Sequence, residues 1–287
     1  MTSNDGWQIG QASITPIYET DAGSIIQAGI EKATPENIRT IRWLRPYFAD
    51  DDGAMKAVVQ AFVIAVDGKN ILVDSCVGNG KARPGLPAWN MLQTDFLARL
   101  SKQGVEPCDV DVVVCTHLHF DHVGWNTVSV NGTWVPTFTE ARYLLSKKEF
   151  HYWKRRPERE VADDRAGFND SVMPVLEAGL MDLVASDHEI CDAVRLLPTG
   201  GHTPGHVSVL VESAGQRAII SGDAIHHPCQ VAHPEWGIFS DFDPEHARRS
   251  RLELLEQCAD SGTLLIGTHF APPTAVTIHR EGRGFRI

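Results

Sequence analysis

Five histidines and two aspartates stand in an order that suits metal chemistry: His117, His119, Asp121 and His122 in one short string, then His202, Asp223 and His269 far downstream. A borderline cation such as Zn2+ takes imidazole nitrogen together with carboxylate oxygen. On an extended or turning loop, the two-residue step from His117 to His119 puts both rings on one side, while Asp121 and His122 face a neighbouring position. His202 can complete the first group and His269 the second, leaving Asp223 to offer one oxygen to each. This set predicts two open sites holding two Zn2+ ions with a water or hydroxide between them. Mn, Fe and Co use similar ligands and are the other candidates.

Six of the other eight histidines, His151, His188, His227, His233, His246 and His279, lack this spacing and are read as surface or core residues. A closed structural zinc site would be rich in cysteine. None of Cys76, Cys108, Cys115, Cys191, Cys229 and Cys258 joins the ligand order or forms a C-x-x-C pair. Cys115 ends an apolar Val112-Val113-Val114 run and reads as a buried small apolar group.

Something rigid must hold these ligands. Apolar, β-branched runs at 57–66, 70–73, 110–115, 207–211, 217–220 and 263–266 predict strands. The strands ending at Cys115, Ile220 and Ile266 each stop just before a polar loop that carries ligands, so a buried strand fixes each loop base. Helices are predicted at 91–103, 146–155, 171–178 and 244–260. The last has Asp243 as N-cap, Pro244 at the first helical position, and Leu252, Leu254 and Leu255 for its inner face.

The string His117-Leu118-His119-Phe120-Asp121-His122 resembles that of the metallo-β-lactamase superfamily. The motifs Gly201-His202-Thr203-Pro204-Gly205-His206, Ser221-Gly222-Asp223 and Gly267-Thr268-His269-Phe270 follow in that family's order. The resemblance runs roughly from Val58 to Phe270 and implies an α/β αββα sandwich of two mixed sheets flanked by helices. No composition shift or linker divides the chain, which reads as one domain over 1–287. Residues 1–55 fit least; in relatives such an extension can overhang the metal cleft. Trp43, Tyr47 or Phe48 would then line a substrate pocket, with packing onto the sandwich as the competing reading.

The resemblance implies a hydrolase that uses a metal-bridging hydroxide, with Asp121 orienting it and relaying a proton. Asp74, after the 70–73 strand, resembles the family's aspartate that supports the metal loop from behind. His206 reads as another outer residue rather than a ligand. The acyl-homoserine lactonases of the family carry a tyrosine three residues after the bridging aspartate, where this chain has His226. An imidazole there can still donate to an oxyanion. The stretch from Ser221 through His226-His227-Pro228 to Val231 looks closer to the branch containing methyl parathion hydrolase. A neutral lactone or carboxylic ester is the first expectation for the substrate, and an aryl phosphotriester the alternative. A mononuclear iron dioxygenase on the same fold is the alternative from another class; those enzymes use fewer of the seven positions.

The chain has 287 residues, 43% hydrophobic and 22% charged, ample for a large core. A net charge of -11 argues against a nucleic-acid surface, which needs clustered Lys and Arg. The most basic stretch, Lys147-Lys148 with Lys154-Arg155-Arg156, reads as a solvated helix face. No apolar run approaches the ~18 residues that suggest a membrane span. The opening residues Met1 to Trp7 lack a basic and then apolar pattern, predicting a reducing, cytoplasmic setting. Trp153, Trp236 and Phe239 read as exposed aromatics, for a homodimer surface or for the pocket rim.

Overall fold

A computed structural model describes residues 6–155 and 162–287. Met1 to Asp5, which enter the leader argument, and Arg156 lie outside the described residues. An interior strand of the seven-stranded sheet is Val58–Val66, whose nine residues are almost all buried, as a strand covered on both faces requires. It pairs antiparallel with Ala12–Asp21 on one side and with Lys69–Val73 on the other. Asp67 and Gly68 make the connecting turn, both at positive φ (52° and 73°), the combination that suits the right-handed twist of a two-residue hairpin. Beyond Lys69–Val73 the pairing becomes parallel, to Val112–Cys115, Arg142–Ser146 and then Met181–Val184.

The second sheet runs in the spatial order Glu189–Cys191, Val194–Pro198, Val207–Ser213, Gln216–Ile220, Leu264–Ile266, Ala275–Thr277. Gln216–Ile220 and Leu264–Ile266 are parallel, and helix Pro244–Cys258 lies in the connection between them. Period-two alternation divides the side chains of both sheets. Phe62, Ile64, Ile71, Val73 and Val114 face inward and meet Val209, Val211, Ile220 and Ile266 from the other sheet. Outward-facing Val63, Leu72, Val113, Ile219 and Leu265 pack instead with helical Phe96, Phe150, Leu254 and Leu255. This is the expected sandwich of two sheets between helices.

The expected strands are present with small shifts at their ends, and Asp243 caps the long helix by accepting from the His246 amide at 3.0 Å. Three expectations need correcting. The helix expected at 91–103 starts only at Phe96. Its proposed first turn is tied elsewhere: Met91 N donates to Lys81 O, Gly80 N to Leu92 O, and Thr94 N to Asn79 Oδ1. The stretch expected at 171–178 opens as a wide π turn over Phe168–Val172 before α-helix Met173–Glu177. Among the described residues of the 1–55 stretch, Ala12–Asp21 is a strand within the larger sheet, so this part of the chain does not simply overhang the sandwich. Among the described residues, no helix is long and apolar enough to cross a membrane.

Candidate metal centre

The ligand loops leave the ends of strands at one end of the sandwich. His117, His119, Asp121 and His122 follow Val112–Cys115, with Asp121 and His122 on the short helix Phe120–Val123. His202 follows Val194–Pro198, Asp223 follows Gln216–Ile220, and His269 follows Leu264–Ile266. The fold brings all seven together. Ligand atoms of His117, His119, His202 and Asp223 lie within 4.8 Å of one another, as do those of Asp121, His122 and His269.

Asp223 stands between the two groups. Its Oδ2 is 3.7 Å from His117 Nε2 and 3.4 Å from His202 Nε2, while Oδ1 is 3.3 Å from His122 Nε2 and 3.2 Å from His269 Nε2. Asp121 Oδ2 sits 3.7 Å from both His122 Nε2 and His269 Nε2. Buried polar atoms ordinarily find hydrogen-bond partners. Here His122 Nε2 and Asp223 Oδ1 are buried without one. Converging imidazole nitrogens around a carboxylate, with unsatisfied atoms facing inward, fit divalent cations of the Zn2+ type.

Ring orientation is set from behind. Asp74, just past Val73 at φ 59°, accepts from Thr116 N (2.8 Å), Thr116 Oγ1 (2.9 Å) and His122 Nδ1 (2.9 Å). A carboxylate only accepts, so His122 Nδ1 carries a proton and Nε2 turns toward the centre. His269 Nδ1 donates to Val58 O at 2.8 Å, and His202 Nδ1 to Asp241 Oδ1 at 2.9 Å. His206 is not in either ligand group. Its Nε2 accepts from the Asp223 amide at 2.8 Å and its Nδ1 meets Thr199 Oγ1 at 2.9 Å, so it holds the Asp223 turn. Gly222 is required there: its φ is 53°, and a Cβ would lie 2.6 Å from His206 Nε2.

Electrostatics suit cation binding. Burial, then repulsion from His122, pushes His117 well below the ordinary imidazole range, toward the neutral ligand form. Burial likewise takes His202 down to about 4 against the opposing Asp241 hydrogen bond. Burial alone would raise Asp223, but His122, His269, His226 and His117 hold its carboxyl well below the usual range. For His122 burial acts downward and is overcome by Asp223, Asp121 and Asp74, leaving it well above its ordinary value. A cation held by His122 Nε2 would take the place of a proton there.

A cleft of about 370 Å³ opens onto the centre, touching His119, Asp121, Asp223, His226 and His269. His226 is 1% exposed, its Nε2 lies 3.1 Å from Asp223 Oδ2, and neither ring nitrogen has a hydrogen-bond partner. The walls are apolar, with Ile25, Ile26, Leu86, Ile238 and the edge-to-face pair Trp89 and Phe120 (6.0 Å, 73°). Phe239 stands at the rim, 83% exposed.

The aromatic expectations are therefore revised. Phe48 packs on Phe270 and His227, Trp43 packs against the core, and Tyr47 is exposed away from the cleft lining. Ile25 and Ile26 are the N-terminal residues that reach it. Trp153 and Trp236 are buried, not exposed: Trp153 sits edge-on to His119 at 5.6 Å, and Trp236 stacks on His233 at 4.2 Å. His227 donates to or accepts at no ligand and instead meets Phe48 O at 2.8 Å.

Two supporting acids escaped the sequence reading. Asp241 lies far along the chain from His202, on an irregular loop. Glu149 sits on the buried face of helix Lys147–Arg155, whose lysines are exposed as expected. Its carboxylate accepts from Leu118 N, Gly205 N and Trp153 Nε1, tying the His117–His119 loop to the His202 loop. For Glu149 the available signal was helical periodicity, which puts it beside Phe150 and Trp153; for Asp241 there was none.

The N-acyl homoserine lactonase of Bacillus thuringiensis is 27% identical over 179 residues, 62% of this chain and 63% of that protein. The chain thus spans just under two thirds of the length of such relatives. Metallo-beta-lactamase domain-containing protein 1 of Xenopus laevis is 31% identical over 187 residues, 65% of this chain and 64% of its own. Among solved structures, a hydrolase in the beta lactamase superfamily, AbOPH, superposes with a TM-score of 0.80 at 24% identity, covering 98% of this chain and 95% of that one. AidC, described as a dizinc quorum-quenching lactonase in complex with a product, gives 0.78 at 20% identity, with the same 98% and 95% coverage. The sequence profile of the metallo-beta-lactamase superfamily matches residues 56–269, three quarters of the chain, and the chain belongs to that superfamily.

Proposed function

We propose that this protein is a two-metal hydrolase of neutral lactones or carboxylic esters that carry an apolar group. The observation that carries the reading is Asp223, whose two oxygens face two separate ligand groups at the floor of an apolar cleft. His117, His119, His202 and Asp223 would hold one cation, and Asp121, His122, His269 and Asp223 the other. When bound, such cations act as Lewis acids and lower the pKa of water toward neutrality.

The side chains do the rest. Asp121 borders the cleft, and its carboxylate takes the proton of the attacking water and returns it to the leaving alkoxide. A new bond joins the water oxygen to the acyl carbon and the acyl C–O bond breaks, giving an acid and an alcohol from an open-chain ester and a single hydroxy acid from a lactone. His226, which lines the cleft and whose ring nitrogens make no hydrogen bond, donates to the substrate carbonyl oxygen as charge builds on it. Its place in the lactonases is taken by tyrosine, a different donor in the same sequence position. Apolar walls desolvate the acyl or alkyl part, and the described lining includes no Lys or Arg to recruit an anionic substrate. Asp74 and His206 act on the ligands from behind. The reading treats the whole chain as one domain, since Ile25 and Ile26 complete the cleft.

The lactonase relatives and neighbours support putting lactones first. The Trp89 and Phe120 pair favours one second reading, hydrolysis of aryl phosphotriesters, with the aryl leaving group against those rings. A panel of lactones, aryl esters, phosphotriesters, thioesters and β-lactams, run on zinc-loaded protein, tests both. Highest kcat/KM on a lactone or ester is expected. Oxygen consumption with one iron per chain and no hydrolysis would overturn the proposal.

A further inference from the structure

Each ligand group contains one histidine backed by a buried carboxylate. Asp74 backs His122, as the sequence resemblance implied; Asp241 backs His202, which nothing in the sequence indicated. The Asp241 side chain is fully enclosed. Its Oδ1 takes His202 Nδ1 at 2.9 Å, and its Oδ2 accepts from Ile238 N at 3.2 Å with the Arg251 guanidinium 3.8 Å away.

Arg251, 1% exposed on helix Pro244–Cys258, reaches further. Its Nε donates to Ala224 O at 3.0 Å, one residue past Asp223, and a terminal nitrogen donates to Pro234 O at 2.8 Å. One cation therefore ties the Asp223 turn to the loop that carries Asp241. The loop also has main-chain anchors of its own, Phe242 N to His202 O at 3.0 Å and Asp243 N to Gly201 O at 2.9 Å. Burying a carboxylate and a guanidinium is costly when stability is the sole return, since apolar residues of similar size often serve as well.

Resting on the reading that the two groups hold cations, we propose that Asp241, braced by Arg251, is a positioning residue that aims His202 into the first metal group and so sets that group's affinity separately from the second. A carboxylate acceptor at Nδ1 keeps the proton there and leaves the Nε2 lone pair facing Asp223 Oδ2. An amide in its place can present NH2 to Nδ1 and favour the opposite tautomer, with Nε2–H pointing at the cation.

The test compares Asp241→Asn in two backgrounds by chelator competition with Zn2+, alongside circular dichroism of the metal-free proteins. His269→Ala leaves the first group to bind, and His117→Ala leaves the second. The expected result is a loss of about 10- to 100-fold in Zn2+ affinity in the His269→Ala background, the usual scale for an outer carboxylate, and no change in the His117→Ala background. An equal fall in both, or none in the first, would overturn it. Should Asp241→Asn fail to fold, Asp241→Glu carries the same comparison, because it keeps the charge and displaces the oxygens by one methylene. If wild-type protein binds no Zn2+, the two-metal reading falls and takes this proposal with it; two metals bound with no selective effect of Asp241 removes this proposal alone.

Discussion

Asp223 and Glu149 are buried alike, 4% and 0% exposed, yet their carboxylates meet opposite surroundings. Glu149 is surrounded by donors, two main-chain amides and the Trp153 indole, and every one points at it. Asp223 faces imidazole nitrogens at 3.1 to 3.7 Å and keeps Oδ1 without a hydrogen bond. The first arrangement is complete within the chain and joins two loops. The second is incomplete, and a native interior seldom leaves a charge in that condition unless something else fills the place. Burial alone does not identify a functional carboxylate; unfilled bonding capacity does.

The largest effect should come from Asp223→Ala. Metal content and kcat/KM should fall together, by roughly 10³-fold or more in rate, because bound cations contribute several kcal/mol to such reactions. Elemental analysis beside kinetics checks it, and full metal occupancy in the variant would break the contrast with Glu149. Glu149→Ala should act on the fold: with its donors left unpaired, about 3 kcal/mol or more of unfolding free energy is lost in urea titration, while folded molecules keep both metals. Metal loss without loss of stability would reverse the roles assigned to the two acids.

His226→Phe comes next, lowering turnover about 10²-fold with both metals retained, the scale of a lost oxyanion donor. Unchanged kinetics would reduce His226 to a packing residue. A pH series sharpens the Glu149 side. Burial raises its pKa against the donors, Trp153 foremost. An acid raised in the folded state stabilises fully below its unfolded pKa, about 4.3 for glutamate, and that contribution is lost as pH rises through the folded value. Metal-free Glu149→Gln should therefore lack this decline, so the difference in unfolding free energy from wild type should change with pH above about 4. A constant difference would contradict it. Phe239→Ala should do least: exposed at the rim, it should raise KM a few-fold for substrates with long apolar groups, leave kcat alone and shift stability by under ~0.5 kcal/mol.

The ligand order was legible because residue type, spacing and strand-end position all act locally. His117 to His122 lie in one short string, and Asp223 and His269 each follow an apolar run that reads as a strand, whereas the strand Val194–Pro198 ahead of His202 was not marked. Asp241 and Arg251 were not legible, since a single acid or base among 37 acidic and 26 basic residues carries no mark of a partner elsewhere in the chain. The N-terminal strand Ala12–Asp21 was hidden for another reason. It contains Pro16, polar residues near its end and a register shift between Tyr18 and Thr20, all of which weaken a period-two signal. Aromatic residues misled most. Trp153 and Trp236 look like surface anchors in sequence, but ring burial is decided by packing against His119 and His233, which are distant or loop-borne partners.

Metal per chain, measured by mass spectrometry on protein stripped with chelator and refilled with Zn2+, tests the central claim most directly. The account predicts two per chain, with hydrolysis returning as the second is taken up. One metal per chain at saturation, or two with no hydrolysis of any substrate class in the panel, would contradict it.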